Sequence, residues 1–156
     1  MKTILLTLFV VISLAHSSPQ KYGRFYISGQ PTEEELTSFK KNTGAVVMDL
    51  RSIDELGNCS EPATVSKLGM QYGRVLFEKS ATIDPEVIKQ IDQQVADAKD
   101  KPVFLFCKSG NRASAWLAIH LVKKENKSID EAVSIAKTTG LKSDMEKAVR
   151  EYLQKN

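Results

Sequence analysis

An α/β sandwich with a mainly parallel central sheet flanked by helices is what this sequence predicts. Three observations carry that expectation. Two short apolar runs, Ala45–Leu50 (interrupted only by Asp49) and Pro102–Phe106, have the length and composition of strands buried on both faces. Helical periodicity fills the segments between strand-like stretches, as at Val87, Ile88, Ile91, Val95 and Ala98. Helix starts are marked by capping chemistry: Thr32 with Glu35, Asp84-Pro85, Ser128 with Glu131, and Ser143 with Glu146. Strands alternating with helices need crossover connections, and crossovers make neighbouring strands parallel.

The first seventeen residues read separately. Lys2 gives a positive start, Ile4–Leu14 is apolar apart from Thr7 and Ser13, and Ala15-His16-Ser17 has the small-x-small form of a cleavage site. That pattern predicts a signal peptide over 1–17 and an exported protein, periplasmic or secreted. Residues 18–156 then form one domain, long enough for a core of its own. The whole chain carries 22 Lys and Arg against 19 Asp and Glu, a formal net charge of +3. So weak a balance gives no argument for nucleic acid or an anionic membrane as partner. The apolar run of the leader is too short to span a bilayer comfortably, so no stable membrane insertion is expected.

Along the chain, Arg24–Ser28 reads as an opening strand and Gly29-Gln30-Pro31 as a turn. A helix follows from Thr32 to about Asn42, closed by Gly44, and Ala45–Leu50 is the next strand. Arg51–Pro62 is polar and reads as a loop; a short helix over about Ala63–Leu68 ends at Gly69. Met70–Phe77 reads as a strand, and Asp84-Pro85 opens a longer helix. The strand Pro102–Phe106 runs into Cys107-Lys108-Ser109-Gly110-Asn111-Arg112, and Ala113–Lys123 reads as the helix behind it. The last two helices begin at Ser128 and Ser143. Met145, Ala148, Val149, Tyr152 and Leu153 form the core stripe of the final one.

The loop from Cys107 to Arg112 is the chemical centre of this reading. A strand, a short loop and a helix N-terminus aim main-chain N–H groups at one point, which suits an oxyanion. The same field favours a thiolate on Cys107. Arg112 supplies a planar fork that grips two oxygens. Ligands of such sheets bind beyond the carboxyl ends of the strands. Arg51, Glu78 and the Cys107 loop all lie at strand ends by this assignment. Lys108 and Lys79 read as surface lysines that add positive field, Trp116 as core, and His120 as a helix residue without a catalytic part. Asp84 is a helix cap, and Asp54 and Glu55 are loop charges. Cys59 and Cys107 form an even pair, which in an oxidising compartment invites a disulfide. Cys59 is therefore a possible redox partner of Cys107.

Ser28-Gly29-Gln30-Pro31-Thr32, Val46-Val47-Met48-Asp49-Leu50-Arg51, Gly69-Met70 and the Cys107–Arg112 loop together resemble the bacterial protein-tyrosine-phosphatase-like family, also called the beta-lactamase-hydrolase-like phosphatase-like domain. The resemblance covers about Tyr22–Lys124. It implies a dual-specificity-phosphatase-like fold, Cys107 as nucleophile, Arg112 as phosphate clamp, and Lys108, Ser109, Gly110 and Asn111 as phosphate-binding loop residues. It implies a phosphoric monoester hydrolase working through a cysteinyl-phosphate, with no cofactor and no metal. Glu78 is the first candidate for the acid that protonates the leaving oxygen. The chain departs from the tyrosine-phosphatase pattern at three places. Phe106 stands where His precedes the nucleophile, the loop is one residue shorter, and Ala113 follows the arginine, with the hydroxyl one place later at Ser114.

Two other readings share these residues. The short loop also resembles that of the rhodaneses, where Cys107 would carry a persulfide as a sulfurtransferase; the Gly-His-Ile-Pro type of segment found there is missing here. A phosphate-binding module without turnover is the third. The expected partner is accordingly a phosphorylated protein or small molecule, or a sulfur species.

Overall fold

The computed structural model describes residues 18–155 apart from Thr43 and Asn58. The leader expected over 1–17 lies outside the described residues. Among the described residues, five strands form one sheet in the order β1-β2-β5-β3-β4. β2 (Phe25–Ser28), β5 (Val103–Phe106), β3 (Val46–Asp49) and β4 (Gln71–Arg74) are mutually parallel. β1 (Gln20–Tyr22) pairs with β2 antiparallel and forms an edge.

The two faces of the sheet are covered by different helices. On one lie α1 (Glu33–Lys41) and α2 (Glu61–Lys67), whose Leu36, Phe39 and Val65 pack on Val47, Phe104 and Phe106. The other face carries α3 (Pro85–Asp97), α4 (Asn111–Glu125), α5 (Ile129–Thr139) and α6 (Ser143–Lys155) around Ile27, Met48, Leu105 and Cys107. Successive strand side chains point to opposite faces, so Phe104 and Phe106 sit with α1 and α2, whereas Leu105 and Cys107 sit with α4. α4 is the central helix: every residue from Asn111 to Ile119 is buried, including Trp116, whose Nε1 donates to Asp92 at 2.9 Å. His120 packs against Phe25 and Trp116, and burial lowers its pKa, which agrees with a packing role.

Three of the four caps read from the sequence are present, whereas Ser143 is itself the first residue of α6 and Glu146 N–H donates to Lys142 C=O. Thr32 and Glu35 form a reciprocal capping box on α1, Asp84 caps α3, and Ser128 caps α5. Differences from the expected elements are local. β4 is shorter than the expected strand because β3, its ladder partner at this edge among the described residues, ends at Asp49; Val75 N–H still donates to Asp49 C=O at 3.0 Å. The expected loop 51–62 contains a 3-10 turn over Ile53–Glu55, and α2 starts at Glu61. α4 begins at Asn111, taking the end of the Cys107 loop into its first turn.

Candidate active site

β5 ends at Phe106 in the middle of the sheet, with β2 and β3 on either side, so the loop that follows is held from two directions. Cys107 N–H donates to Ser28 C=O at 3.4 Å, and Leu50 N–H donates to Phe106 C=O at 2.8 Å. Gln30 N–H donates to Lys108 C=O at 3.3 Å. That bond turns the Lys108–Ser109 peptide carbonyl outward to the β2 turn, and its N–H the opposite way. Gly110 has φ +86°, in the left-handed region, and a Cβ there would lie 3.3 Å from Gly29 N. A Cβ on Gly29 would lie 3.3 Å from Lys108 O. Only two glycines allow this close approach of turn and loop.

The consequence is a row of unused donors. Among the described residues, the main-chain N–H groups of Lys108, Ser109, Gly110, Asn111 and Arg112 donate to no acceptor; Ser114 N–H, bonding to Gly110 C=O at 2.9 Å, is the first to be used by α4. Gly110, Asn111 and Arg112 are buried. Buried N–H groups without a partner are costly, and a helix N-terminus attracts anions, so the loop has the geometry of an oxyanion cradle.

Arg112 closes it. Its Nη1 donates to Phe77 C=O at 2.7 Å, and its Nη2 donates to both oxygens of Glu55, at 2.8 and 2.6 Å. The pair is buried, 5% and 4% exposed by side chain. Two edges of the guanidinium are thus held, which leaves Nε–H and the remaining protons for a guest. Glu55 is fixed in turn by Ser52 and Lys79: Ser52 N–H and Oγ–H donate to its Oε2 at 3.0 and 2.9 Å, and Lys79 Nζ lies 3.2 Å from Oε1. Burial pushes its carboxyl up, but Arg112, Ser52 and Lys79 together hold it at about 2, far below the ordinary range. Glu55 therefore stays ionised and supplies no proton.

Cradle and arginine open into a cavity of about 720 Å³. Its walls are the segment Lys79–Thr82 on one side and α6 with Lys142 on the other. Asn111 ties α6 to the loop: its Oδ1 accepts from Lys142 N–H at 2.8 Å and its Nδ2 donates to Asp144 at 3.1 Å. Asn111 is also the chief reason that the Asp144 carboxyl lies below its ordinary value.

Several expected site residues come together here: Arg112, Lys108, Ser109 and Asn111 line the cavity, and Gly110 shapes the loop. Cys107 is fully buried in the core cluster beneath the loop. Glu78 is not brought in. Phe77 turns inward, so the next side chain turns outward; Glu78 is exposed and lines a neighbouring 190 Å³ cavity with Asp84 and Val87. Ser114 does not stand in for a hydroxyl at position 113. It is fully buried, and its Oγ accepts from Thr139 at 2.9 Å. The Cys59–Cys107 disulfide is not formed: both cysteines are free. Cys59 belongs to the opposite face of the sheet, where its thiol donates to Glu61 at 3.0 Å and accepts from Arg51 at 3.0 Å.

Arg51 is no surface ion pair. It is fully buried, paired with Asp49 at 2.7 Å and Glu61 at 3.2 Å, and its guanidinium lies 5.0 Å from the Phe106 ring centre, directly before the cysteine. Burial alone would raise the Asp49 carboxyl, but hydrogen bonds from Arg51 and Tyr72 bring it below its ordinary value. Gln30 joins this network to the loop, donating to Glu61 at 2.7 Å and accepting from Lys108 Nζ at 3.0 Å. Glu55 is the residue that sequence reasoning placed among loop charges. The Ser52-x-x-Glu55 capping pattern was the local signal that this carboxylate is held in place.

Comparisons with known proteins agree with this geometry. The chain matches the family model described as DSP-PTPase phosphatase fused to NAD+ Kinase over residues 11–152. No curated protein matches it in sequence. Among solved structures, it is similar to a DUF442 protein of Shewanella putrefaciens CN-32, with 19% identity and a TM-score of 0.70 over 90% of this chain and 94% of that one. Tk-PTP in its active form shows 19% identity and a TM-score of 0.70, over 89% and 97% of the two chains. TpbA of P. aeruginosa, solved with phosphotyrosine, shows 18% identity and a TM-score of 0.62, over 80% and 75%. The fold is therefore that of the dual-specificity phosphatases, and the chain belongs to the family of DSP-PTPase phosphatases fused to NAD+ kinase.

Proposed function

We propose that the chain hydrolyses phosphate monoesters through a cysteinyl-phosphate on Cys107. The row of unused N–H groups, closed by an oriented guanidinium, is the observation that carries this reading. In the first step a lone pair of the Cys107 thiolate forms the S–P bond while the P–O bond to the leaving group breaks, and the leaving oxygen takes its proton from solvent water. Water then attacks phosphorus, and the sulfur departs as thiolate. The donors of Lys108–Arg112 face the equatorial oxygens, where negative charge is concentrated in the transition state. Cys107 has no exposed surface, so attack requires the loop to part around the sulfur. The family model and the three solved structures named above offer no support for a sulfurtransferase. Residues 1–17 support export, which N-terminal sequencing of the recovered protein tests.

The experiment is hydrolysis of p-nitrophenyl phosphate by the reduced protein, with Cys107→Ser and Arg112→Lys beside it. Cys107→Ser is expected to lower the rate at least about a thousandfold. Arg112→Lys keeps the charge but loses the fork, and is expected to lower it roughly a hundredfold or more. Undiminished turnover by Cys107→Ser refutes the mechanism. Thiosulfate-to-cyanide transfer that depends on Cys107, without phosphate release, would replace it by the sulfurtransferase.

A further inference from the structure

The cavity above the cradle is larger and more basic than one phosphate needs. It is lined by five cationic side chains and three carboxylates, and among the described residues its lining holds no aromatic ring. Two of the carboxylates are already engaged: Glu55 with Arg112 and Lys79, and Asp144 with Asn111. The third, Glu151, lies 4.0 Å from Lys147. Lys142 makes no ion pair within 4.0 Å among the described residues, yet its main chain is pinned beside the cradle by Asn111. Among the described residues, Lys108 Nζ donates to the neutral Gln30 amide and forms no ion pair. Lys108, Lys142 and Lys147 thus come from the loop, the start of α6 and one turn further along it, and all three are exposed.

A phosphotyrosine side chain spends its whole charge in the cradle and needs an aromatic or apolar slot for its ring. The apolar lining of this cavity comes from Ala81, Met145 and aliphatic side-chain stems, without an aromatic face for a ring to stack on, and its cations outnumber its carboxylates. We infer that the substrate is a small molecule bearing at least two phosphate groups, one held by the Cys107–Arg112 cradle and a second by Lys142 and Lys147 across the cavity. This rests on the phosphatase reading and names its substrate class. A soluble bisphosphate and a phosphorylated lipid headgroup share the chemistry.

The test is binding to Cys107→Ser protein, which keeps the cavity and removes turnover. Isothermal titration compares butyl phosphate with butane-1,4-diol bisphosphate, ligands that differ only in the second phosphate. A third arm uses phosphatidylcholine vesicles with and without phosphatidylinositol 4-phosphate. Both Lys142 and Lys147 are exposed, so K142M/K147M is expected to fold, and K40M/K41M on α1 removes the same charge elsewhere. The inference expects the bisphosphate to bind about tenfold or more tightly than the monophosphate, with that advantage lost in K142M/K147M and kept in K40M/K41M. Binding to the charged vesicles without binding to the soluble bisphosphate assigns the headgroup as the source. Equal affinities, an advantage that survives K142M/K147M, loss of it in K40M/K41M, or tighter binding of a phosphotyrosine peptide overturns the inference. Turnover of p-nitrophenyl phosphate by the wild-type protein is read separately, so failure of the phosphatase reading is distinguishable from failure of the substrate class.

Discussion

Replacing Glu55 by Gln removes the charge that orients Arg112 and leaves the shape nearly unchanged. Its magnitude follows from the structure. Both side chains are almost fully buried, and the carboxylate accepts from Nη2 at 2.6 Å. Glu55 is held at about 2 against an ordinary 4.5. At neutral pH that difference corresponds to roughly 3 kcal/mol of stability. Gln can still accept one hydrogen bond from Arg112, so the expected loss is about 2–3 kcal/mol, or roughly 6–12 °C in Tm for a domain of this size. The sign with pH is fixed. A carboxyl depressed in the folded state stabilises fully above its unfolded value and ceases to do so as pH falls through the folded one. The gap between wild type and Glu55→Gln should therefore be largest above about pH 5 and close between about pH 4.5 and 2. Paired urea melts at pH 7, 5 and 3 measure it, and taking the difference cancels the other depressed carboxylates. A gap under about 0.5 kcal/mol at pH 7, or one that widens in acid, refutes the argument that this ion pair holds the arginine.

Other outcomes follow from the same geometry. Glu78→Gln should change kcat for p-nitrophenyl phosphate less than about twofold, because its side chain lies outside the catalytic cavity; steady-state kinetics would show otherwise at once. Iodoacetamide should alkylate half-buried Cys59 before fully buried Cys107, and peptide mass spectrometry of a time course reads the order. Gly110→Ala places a Cβ at φ +86° and 3.3 Å from Gly29 N, and should cost about 1–2 kcal/mol by urea melt while weakening phosphate binding. Asp49→Ala leaves the buried Arg51 with Glu61 as its one carboxylate partner among the described residues and should cost about 3–5 kcal/mol in the same assay.

Much of this molecule was legible in its residues because the signals were local. The apolar runs of β3 and β5, the caps of α1, α3 and α5, and the Gly110 turn each state their own conformation within a few positions. β1 was missed because Gln20-Lys21-Tyr22 has no apolar alternation; only its antiparallel register with β2 makes it a strand. Glu55 shows why a site is harder to read than a fold. Its capping pattern with Ser52 is local, but its partner Arg112 lies 57 positions away, and nothing short-range names it. Glu78 illustrates the converse. The expected strand reached Phe77, but β4 ends at Arg74, and one step past buried Phe77 the chain turns Glu78 away from the cavity.

The β2 turn has a bearing on how this protein becomes competent. Gln30 fixes the peptide of Lys108 through its main chain and the ammonium of the same residue through its side chain, 78 positions apart. The grip for the anion is thus half assembled from a stretch made early in synthesis and half from one made late. A fragment starting after Pro31 would retain every residue of the Cys107–Arg112 motif and still lack the outer brace that gives the motif its curvature.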